Sequence, residues 1–246
     1  METVVASKIQ PPRTDIWRMF NRIAGRYDLL NRLLSFGQDI RWRKQVARFL
    51  ANHNEQYLLD LATGTGDQLL YLFKNSSKID RAVGTDLAVN MLDIGKEKIK
   101  NQQLDNRIHL KEGDAESIQF PEETFDAVTI SFGIRNVVNV SQSLSEMYRV
   151  LKPSGRVLIL EFSIPKNRLM RKIYLLYFRY FLPMMGAVIS GDGYAYKYLN
   201  ETVETFPYGN DFCHLLVSAG FQNVYMHPMT FGITTIYVGE KDGTYK

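Results

Sequence analysis

The 246-residue chain has a single cysteine, Cys213, and that scarcity is its first constraint. One thiol excludes an internal disulfide and fits a reducing compartment. Its setting in "DFCHLLVSAGF", an apolar helical pattern, makes it a small buried side chain rather than a nucleophile. The four histidines (His53, His109, His214 and His227) stand without metal-ligand spacing, so no metal site is expected. The chain also lacks a run long enough to cross a bilayer. Its longest apolar stretch, "IYLLYFRYFLPMMGAVI" (Ile173 to Ile189), contains Arg179 and Pro183 and falls short of the roughly 20 residues a span needs. The opening "METVVASKIQPPRTD" has no apolar core of signal-peptide length. Net charge is only +4, which suits an anionic membrane or nucleic acid without selecting either.

What is present is an ordinary globular composition, 45% hydrophobic and 23% charged, at a length that suits one α/β domain with decorations. Residues 1–13 read as a disordered tail ending at Pro11 and Pro12, which leaves 14–246 as a single domain. From Asp15 to Leu34, the positions Phe20, Ile23, Ala24, Tyr27, Leu30 and Leu34 recur at helical spacing until "SFG" breaks the pattern. A second helix is expected from Asp39 to about Leu50. Alternating units follow: strand 57–62, helix 66–75, strand 82–86, helix 88–100, strands 107–112 and 125–131, helix 140–151 and strand 156–162. That rhythm implies parallel pairing with right-handed crossovers. "KPSG" is expected to stop the helix before "RVLILEF" begins. Residues from about 165 to 208 read as a helical, aromatic cap broken by Pro183, Gly186, Gly191 and Gly193. The chain then ends in an antiparallel pair of strands with a turn near "TFG".

The stretch "LLDLATGTGDQ" (Leu58 to Gln68) carries the first chemical signal. An apolar run with Asp60 inside it gives way at once to Gly64, Thr65, Gly66 and Asp67, as when a parallel strand hands over to a helix beside a bound nucleotide. The dinucleotide fingerprint wants a third glycine three residues further on, and that position is Leu69. About 20 residues past the glycines, "AVGTDLAVNML" ends a strand on Asp86, where a carboxylate receives a ribose diol. After the third strand, "EGDAESIQF" puts Asp114 and Ala115 where they can frame an adenine ring. Each feature alone has a plain reading as a tight turn or a helix N-cap. In order on consecutive strands, they describe a nucleoside without a diphosphate, as in S-adenosylmethionine, with Asp60 and the glycines as the floor of the site.

Longer stretches carry a resemblance. "YDLLNRLLSFGQDIRW" (Tyr27 to Trp42) and "RVLKPSGRVLILEFS" (Arg149 to Ser163), with "ISFGIRNV" (Ile130 to Val137) between them, resemble the ubiquinone/menaquinone biosynthesis C-methyltransferases. These belong to the class I S-adenosylmethionine-dependent enzymes, and the likeness runs from about Phe20 to the C-terminus. It implies a Rossmann-like class I methyltransferase fold: a seven-stranded, mostly parallel sheet with an antiparallel last strand, N-terminal helices and a helical cap insertion over the substrate. It implies S-adenosylmethionine as methyl donor and a polyprenylated quinol as acceptor. By position it assigns donor contacts to Thr65, Asp86, Asp114, Ala115 and Ser131, beside Gly64, Gly66 and Asp60 of the loop. Three positions depart from the family pattern. Asp39 stands where histidine is usual, Thr63 where glycine is frequent, and Ser154 interrupts a "PGG".

Moving a methyl group from a sulfonium to a ring carbon needs an electron-rich carbon in line behind the methyl. It also needs partial deprotonation of a ring hydroxyl and an exit for the displaced ring proton. In open α/β sheets ligands meet beyond the carboxyl ends of the strands at the switch point, and "SFGIRN" follows the fourth strand there. Arg135 is expected to stabilise a developing phenolate rather than act as a base, since guanidinium hardly deprotonates. Asn136 stands beside it, water held by Arg135 or Asp67 is the expected proton carrier, and Tyr27 with Asp28 is expected to cover the site. Tyr27 also lies on the apolar stripe of its helix, so a core role stays open.

Lys166, Arg168, Arg171 and Lys172 flank the aromatic segment 173–189, which suits a lid touching the membrane. The resulting expectation is a quinol C-methyltransferase with demethylmenaquinol as acceptor. The alternatives are a 2-methoxy-6-polyprenyl-benzoquinol in ubiquinone biosynthesis or another small aromatic. A cytoplasmic protein held peripherally on the inner face of the membrane is expected, with homo-oligomerisation left open. A nucleic-acid methyltransferase is disfavoured because "SFGI" lacks the Asn-Pro-Pro-Tyr type of turn that stacks a flipped base. A non-catalytic scaffold is disfavoured because the glycine loop and Asp86 are both intact.

Overall fold

Leu58 and Leu59, neighbours in the first strand, bury on opposite sides of one sheet, and that alternation sets the layers. A computed structural model describes residues 15–182, 184 and 193–243; the expected tail, and Pro183 and residues 185–192 of the expected cap, lie outside them. The strands are β1 (Gln56–Leu61), β2 (Ile79–Asp86), β3 (Ile108–Glu112), β4 (Phe125–Ser131), β5 (Leu151–Phe162), β6 (Gln222–Met229) and β7 (Thr234–Glu240). They form one seven-stranded sheet in the order β3-β2-β1-β4-β5-β7-β6. Pairing is parallel from β3 through β5, while β7 runs antiparallel to both β5 and β6. The mostly parallel sheet with its antiparallel last strand is therefore as expected, with β7 inside the sheet and β6 on its edge.

One face packs Leu59, Leu61, Val128 and Ile130 against α5 (Val140–Val150) and α8 (Asn210–Ser218) through Leu144, Met147, Phe212 and Leu216. The other face packs Leu58, Ala127 and Leu158 against Trp42 and Val46 of α2 (Gln38–Val46), Leu69 and Leu72 of α3 (Asp67–Asn75), and Ile99 of α4 (Val89–Asn101). Burying each such leucine is worth roughly 1.5–3 kcal/mol over exposure, so a lone carboxylate in β1, Asp60, has to earn its place by function or pairing.

Two strands start earlier than the pattern implies. β5 begins at Leu151, directly after α5, because "KPSG" is a bulge within the strand rather than a loop. Phe125 pairs with Leu151, Ala127 with Arg156, and the residues between are pinned by the Ser154 N–H to Lys241 O and the Lys241 N–H to Gly155 O. β2 begins at Ile79 rather than at 82, its buried start obscured by exposed Asp80 and Arg81.

A third cluster sits beyond the sheet, against Phe162 at the end of β5. It joins Met19 and Leu30 of α1 (Ile16–Leu34), Tyr174 of α6 (Arg168–Leu176), Phe178 of the π-helical turn Tyr177–Phe181, and Tyr198 of α7 (Gly193–Thr205). The described parts of the 165–208 segment thus meet α1 over the carboxyl end of the sheet. No helix among the described residues is long and apolar enough to cross a membrane.

Candidate active site

β1 and β4 are the neighbours from which the strand order runs both ways, and both end in strained turns. Ala62 after β1 has φ +47° and Phe132 after β4 has φ +58°, left-handed values that cost a residue with a side chain. Gly133 lets the two turns meet, since a Cβ there would lie 2.6 Å from that of Ala62. Gly66, at φ +76°, opens α3 from the left-handed region.

The Gly64 N–H donates to Asp86 Oδ2 and the Ala88 N–H to Asp86 Oδ1, each at 2.8 Å. The end of β2 is thereby tied to the loop after β1, and each oxygen keeps a lone pair for another donor. Burial pushes the Asp86 carboxyl above its ordinary value. Asp86 lines a cavity of about 420 Å³ with Gly64, Asp114, Ala115, Ser131 and Asn136. Its roof is α1, through Trp17, Phe20 and Tyr27.

A smaller polar cavity, about 20 Å³, continues from it along Ala62, Gly64 and Ser131. Asp60 lines its floor and accepts hydroxyl bonds from Thr63, at 2.7 Å, and Thr129. Thr65 donates to Asp28 at 2.7 Å and accepts from Lys98 at 2.9 Å. Asp67 is paired to Lys98 and Arg32, and Arg32 also pairs with Asp39. Burial works to raise the Asp67 carboxyl, but Lys98, then Arg43 and Arg32, outweigh it and hold it below the usual range. Arg43 lines the same cavity and makes no ion pair with a described residue.

The third cavity, about 370 Å³, is chiefly apolar and lies between α1, α2 and α6, with Leu30, Trp42, Phe162 and Phe178 among its walls. It shares Phe20, Tyr27 and Phe132 with the 420 Å³ cavity, and Tyr27 lines all three. Arg135 stands in its wall on the turn Ile134–Asn136. Its Nη1 donates to Glu161 Oε1 at 2.7 Å and to Phe132 O at 2.6 Å, while its Nε has no partner. Glu161 is 1% exposed, so this is a fully desolvated ion pair. Tyr174 adds a buried hydroxyl without a partner, pushed by burial far above its ordinary value and so kept protonated. Asn136 faces the neighbouring cavity and accepts from Tyr198 at 3.2 Å.

The structure therefore gathers Gly64, Asp86, Asp114, Ala115, Ser131 and Asn136 around one cavity, and Asp60, Thr65 and Asp67 around the polar one. Arg135 stands in the apolar one, with Tyr27 at the junction. Gly66 shapes the turn without lining any of the three.

The ubiE/COQ5 methyltransferase family matches residues 8–241 of this chain. The chain belongs to that family. It is 48% identical over 223 residues to the ubiquinone/menaquinone biosynthesis C-methyltransferase UbiE of Geobacter sulfurreducens, covering 91% of this chain and 87% of that one. It is 44% identical to the demethylmenaquinone methyltransferase of Thermus thermophilus, covering 91% of this chain and all of the relative. Among solved structures, an S-adenosylmethionine-dependent methyltransferase of Thermotoga maritima shares the fold, with a TM-score of 0.65 at 18% identity over 92% of this chain and all of that one. The chain is a methyltransferase with the Rossmann-like class I fold, and S-adenosylmethionine is its methyl donor.

The family's residues suit that donor. The spare lone pairs of Asp86 fit a diol, and acidic groups surround the polar cavity where a cationic group would enter. Among the described residues no cluster of His, Cys, Asp and Glu could hold a metal ion.

Asp60 has a testable signature. Burial, outweighing the hydroxyl bonds of Thr129 and Thr63 and the charge of Arg43, raises its carboxyl from 3.8 to about 6. The folded state then holds a proton that the unfolded state has released, so stability falls as pH rises from about 4 to about 6. The shift of about two units corresponds to about 3 kcal/mol. Asp60→Asn is expected to flatten that segment of the stability profile, read by urea unfolding at pH 4.5 and 7.5. A variant with the parent's slope would remove the charge from this account.

Arg43, Asp39, Glu161 and Tyr174 were not legible as site residues. Asp39 stood out only by its departure from the family pattern. Glu161 carried a weak signal, a charge inside the apolar run "RVLILEF".

Proposed function

We propose that this methyltransferase transfers its methyl group to a ring carbon of a reduced polyprenylated quinol, with demethylmenaquinol as the acceptor. The observation carrying this reading is the apolar cavity of about 370 Å³ that meets the donor cavity at Tyr27 and Phe132. A space of that size suits a bicyclic ring and the first isoprene units. The rest of a prenyl chain would leave past Phe36 and Ile173, which line the cavity yet are 76% and 53% exposed. The Thermus, Deinococcus radiodurans and Bacteroides fragilis relatives are named for demethylmenaquinone, which supports the naphthoquinol over the benzoquinol.

In this reading Asp86 receives the ribose diol, Asp114 and Ala115 flank the adenine, and Gly64, Thr65, Ser131 and Asp60 surround the methionyl end, with Gly66 shaping the loop. The donor supplies an electrophilic methyl on a sulfonium. Arg135, its net charge balanced by Glu161, offers Nε–H to a ring oxygen as that oxygen gains charge. Tyr174 offers a second donor. Asp67 and Asp39 are both tied to Arg32, so the ring proton passes to water held by Arg135. Tyr27 sets the ring against the methyl, and Asn136, fixed by Tyr198, closes the opposite side.

In this reading the protein works peripherally at the cytoplasmic face of the membrane, where the substrate's tail would lie. Leu169, Ile173, Leu176 and Tyr180 form an exposed stripe, next to exposed Leu29, Leu33 and Phe36 of the α1 end, and Phe36 touches Tyr177 at 6.1 Å between ring centroids. Lys166, Arg168, Arg171 and Lys172 are all exposed at the start of this stripe.

Under reductant, with acceptors carried in anionic vesicles, the long-chain naphthoquinol is expected to be methylated roughly tenfold faster than the matching benzoquinol. Replacing Arg168, Arg171 and Lys172 together by glutamine should weaken vesicle binding by roughly 100-fold, at about 1 kcal/mol per basic residue. Turnover of a short, water-soluble naphthoquinol should stay at the parent's level. Preference for the benzoquinol would reassign the acceptor, and undiminished vesicle binding would remove this face from the membrane.

A further inference from the structure

Arg43 follows Trp42 on α2 and is 6% exposed. Among the described residues its guanidinium has no hydrogen bond and no ion pair. Its Nε is a buried donor without an acceptor, and its guanidinium carbon lies over the Phe132 ring, 5.2 Å from the centroid. A guanidinium cannot shed its charge on burial, so a desolvated and unpaired one calls for an anion. The nearby carboxylates of Asp60 and Asp67 feel its charge, which works to lower both, but neither bonds it. Asp60 takes the hydroxyls of Thr63 and Thr129, and Asp67 takes Lys98 and Arg32.

We propose that Arg43 binds the α-carboxylate of the methionyl part of S-adenosylmethionine. Two anions are within reach of its position, because Arg43 lines both the small polar cavity and the apolar one. A ring oxygen of the acceptor is charged only in passing, whereas a carboxylate is ionised throughout the working pH range. The polar cavity shares Ala62, Gly64 and Ser131 with the nucleoside cavity, so it is where a chain extending from the ribose would arrive. Its volume of about 20 Å³ leaves no room for a ring. Asp28, tied to Thr65 and Lys98, and Asp60 line the same space, so the cavity sets acidic groups beside one unpaired cation.

Gln68 holds the arginine's backbone in register. It donates to Arg43 O at 3.2 Å and accepts from Ser131 Oγ at 2.9 Å, linking α2 through α3 to the end of β4.

The inference rests on S-adenosylmethionine as donor, and calorimetry with three ligands tests it apart from that premise. Arg43→Met is expected to bind S-adenosylmethionine and S-adenosylhomocysteine roughly 10–100-fold more weakly, the loss of a charge-assisted pair. Binding of 5′-methylthioadenosine, which keeps the nucleoside and lacks the amino acid, should change by less than about twofold. Arg43→Lys should fall between parent and Arg43→Met, and it carries the comparison if the methionine variant does not fold. An equal loss for 5′-methylthioadenosine would overturn the assignment in favour of a structural role. Unchanged donor affinity with a raised acceptor KM would give Arg43 to the ring oxygen instead. A parent that bound 5′-methylthioadenosine but neither amino-acid ligand would overturn the donor premise itself.

Discussion

Arg135→Ala is expected to lower turnover by about 10²–10³-fold, the loss that follows removal of one donor to a developing oxyanion. Donor affinity should hardly change, because Arg135 stands in the wall of the apolar cavity and not of the one lined by Asp86, which is proposed to hold the donor. The variant has a second effect that must be separated from the first. Glu161 is 1% exposed and would be left without its cation, a loss of about 3–5 kcal/mol for a broken buried pair. Adding Glu161→Gln to Arg135→Ala removes the stranded charge and should recover much of the stability while turnover stays low. Urea unfolding and single-turnover rates on the two variants read these effects apart. If the double variant regained turnover along with stability, Arg135 would be structural and the acceptor's charge would have to be met elsewhere.

The acceptor's oxidation state should matter even more. A ring carbon attacks a sulfonium methyl only when its ring is electron-rich, which the quinol is and the quinone is not. Turnover is expected to fall to background when reductant is withheld and to return when it is added. It should also rise with pH as the ring hydroxyl ionises more readily. Tyr174 stays protonated across that range and so keeps a proton to donate. Equal methylation of quinone and quinol would contradict the role given to Arg135 and the chemistry together.

Much of this architecture is legible in the sequence because it rests on local patterns. The parallel strands show as apolar runs closed by glycine or acid, which is how Gly64 and Asp86 could be placed before their 2.8 Å contact was seen. Two strand starts were not legible. At β5 the bulge over Lys152–Gly155 uses turn-forming residues inside a strand and is held by Lys241, far along the chain. The hidden part of the site is its buried charge. In α2, "QDIRWRKQV" has the look of a solvated helix, yet Asp39 and Arg43 are buried by packing of distant segments. Tyr174 reaches the apolar cavity because the segment after β5 folds back against α1, and Glu161 is met by Arg135 from the turn after β4. Asp67, read as one of two residues that could hold the proton-carrying water, has both oxygens paired to cations from α1 and α4, a long-range arrangement that no spacing reveals.

The central claim is transfer to ring carbon, and the most direct measurement uses demethylnaphthoquinol carrying deuterium at the open ring position, incubated under reductant with S-adenosylmethionine. Forming the new carbon–carbon bond expels that deuterium to water, so mass spectrometry should find a product that has gained a methyl group and lost its deuterium. A methylated product that keeps the deuterium would mean transfer to oxygen, and would contradict the account.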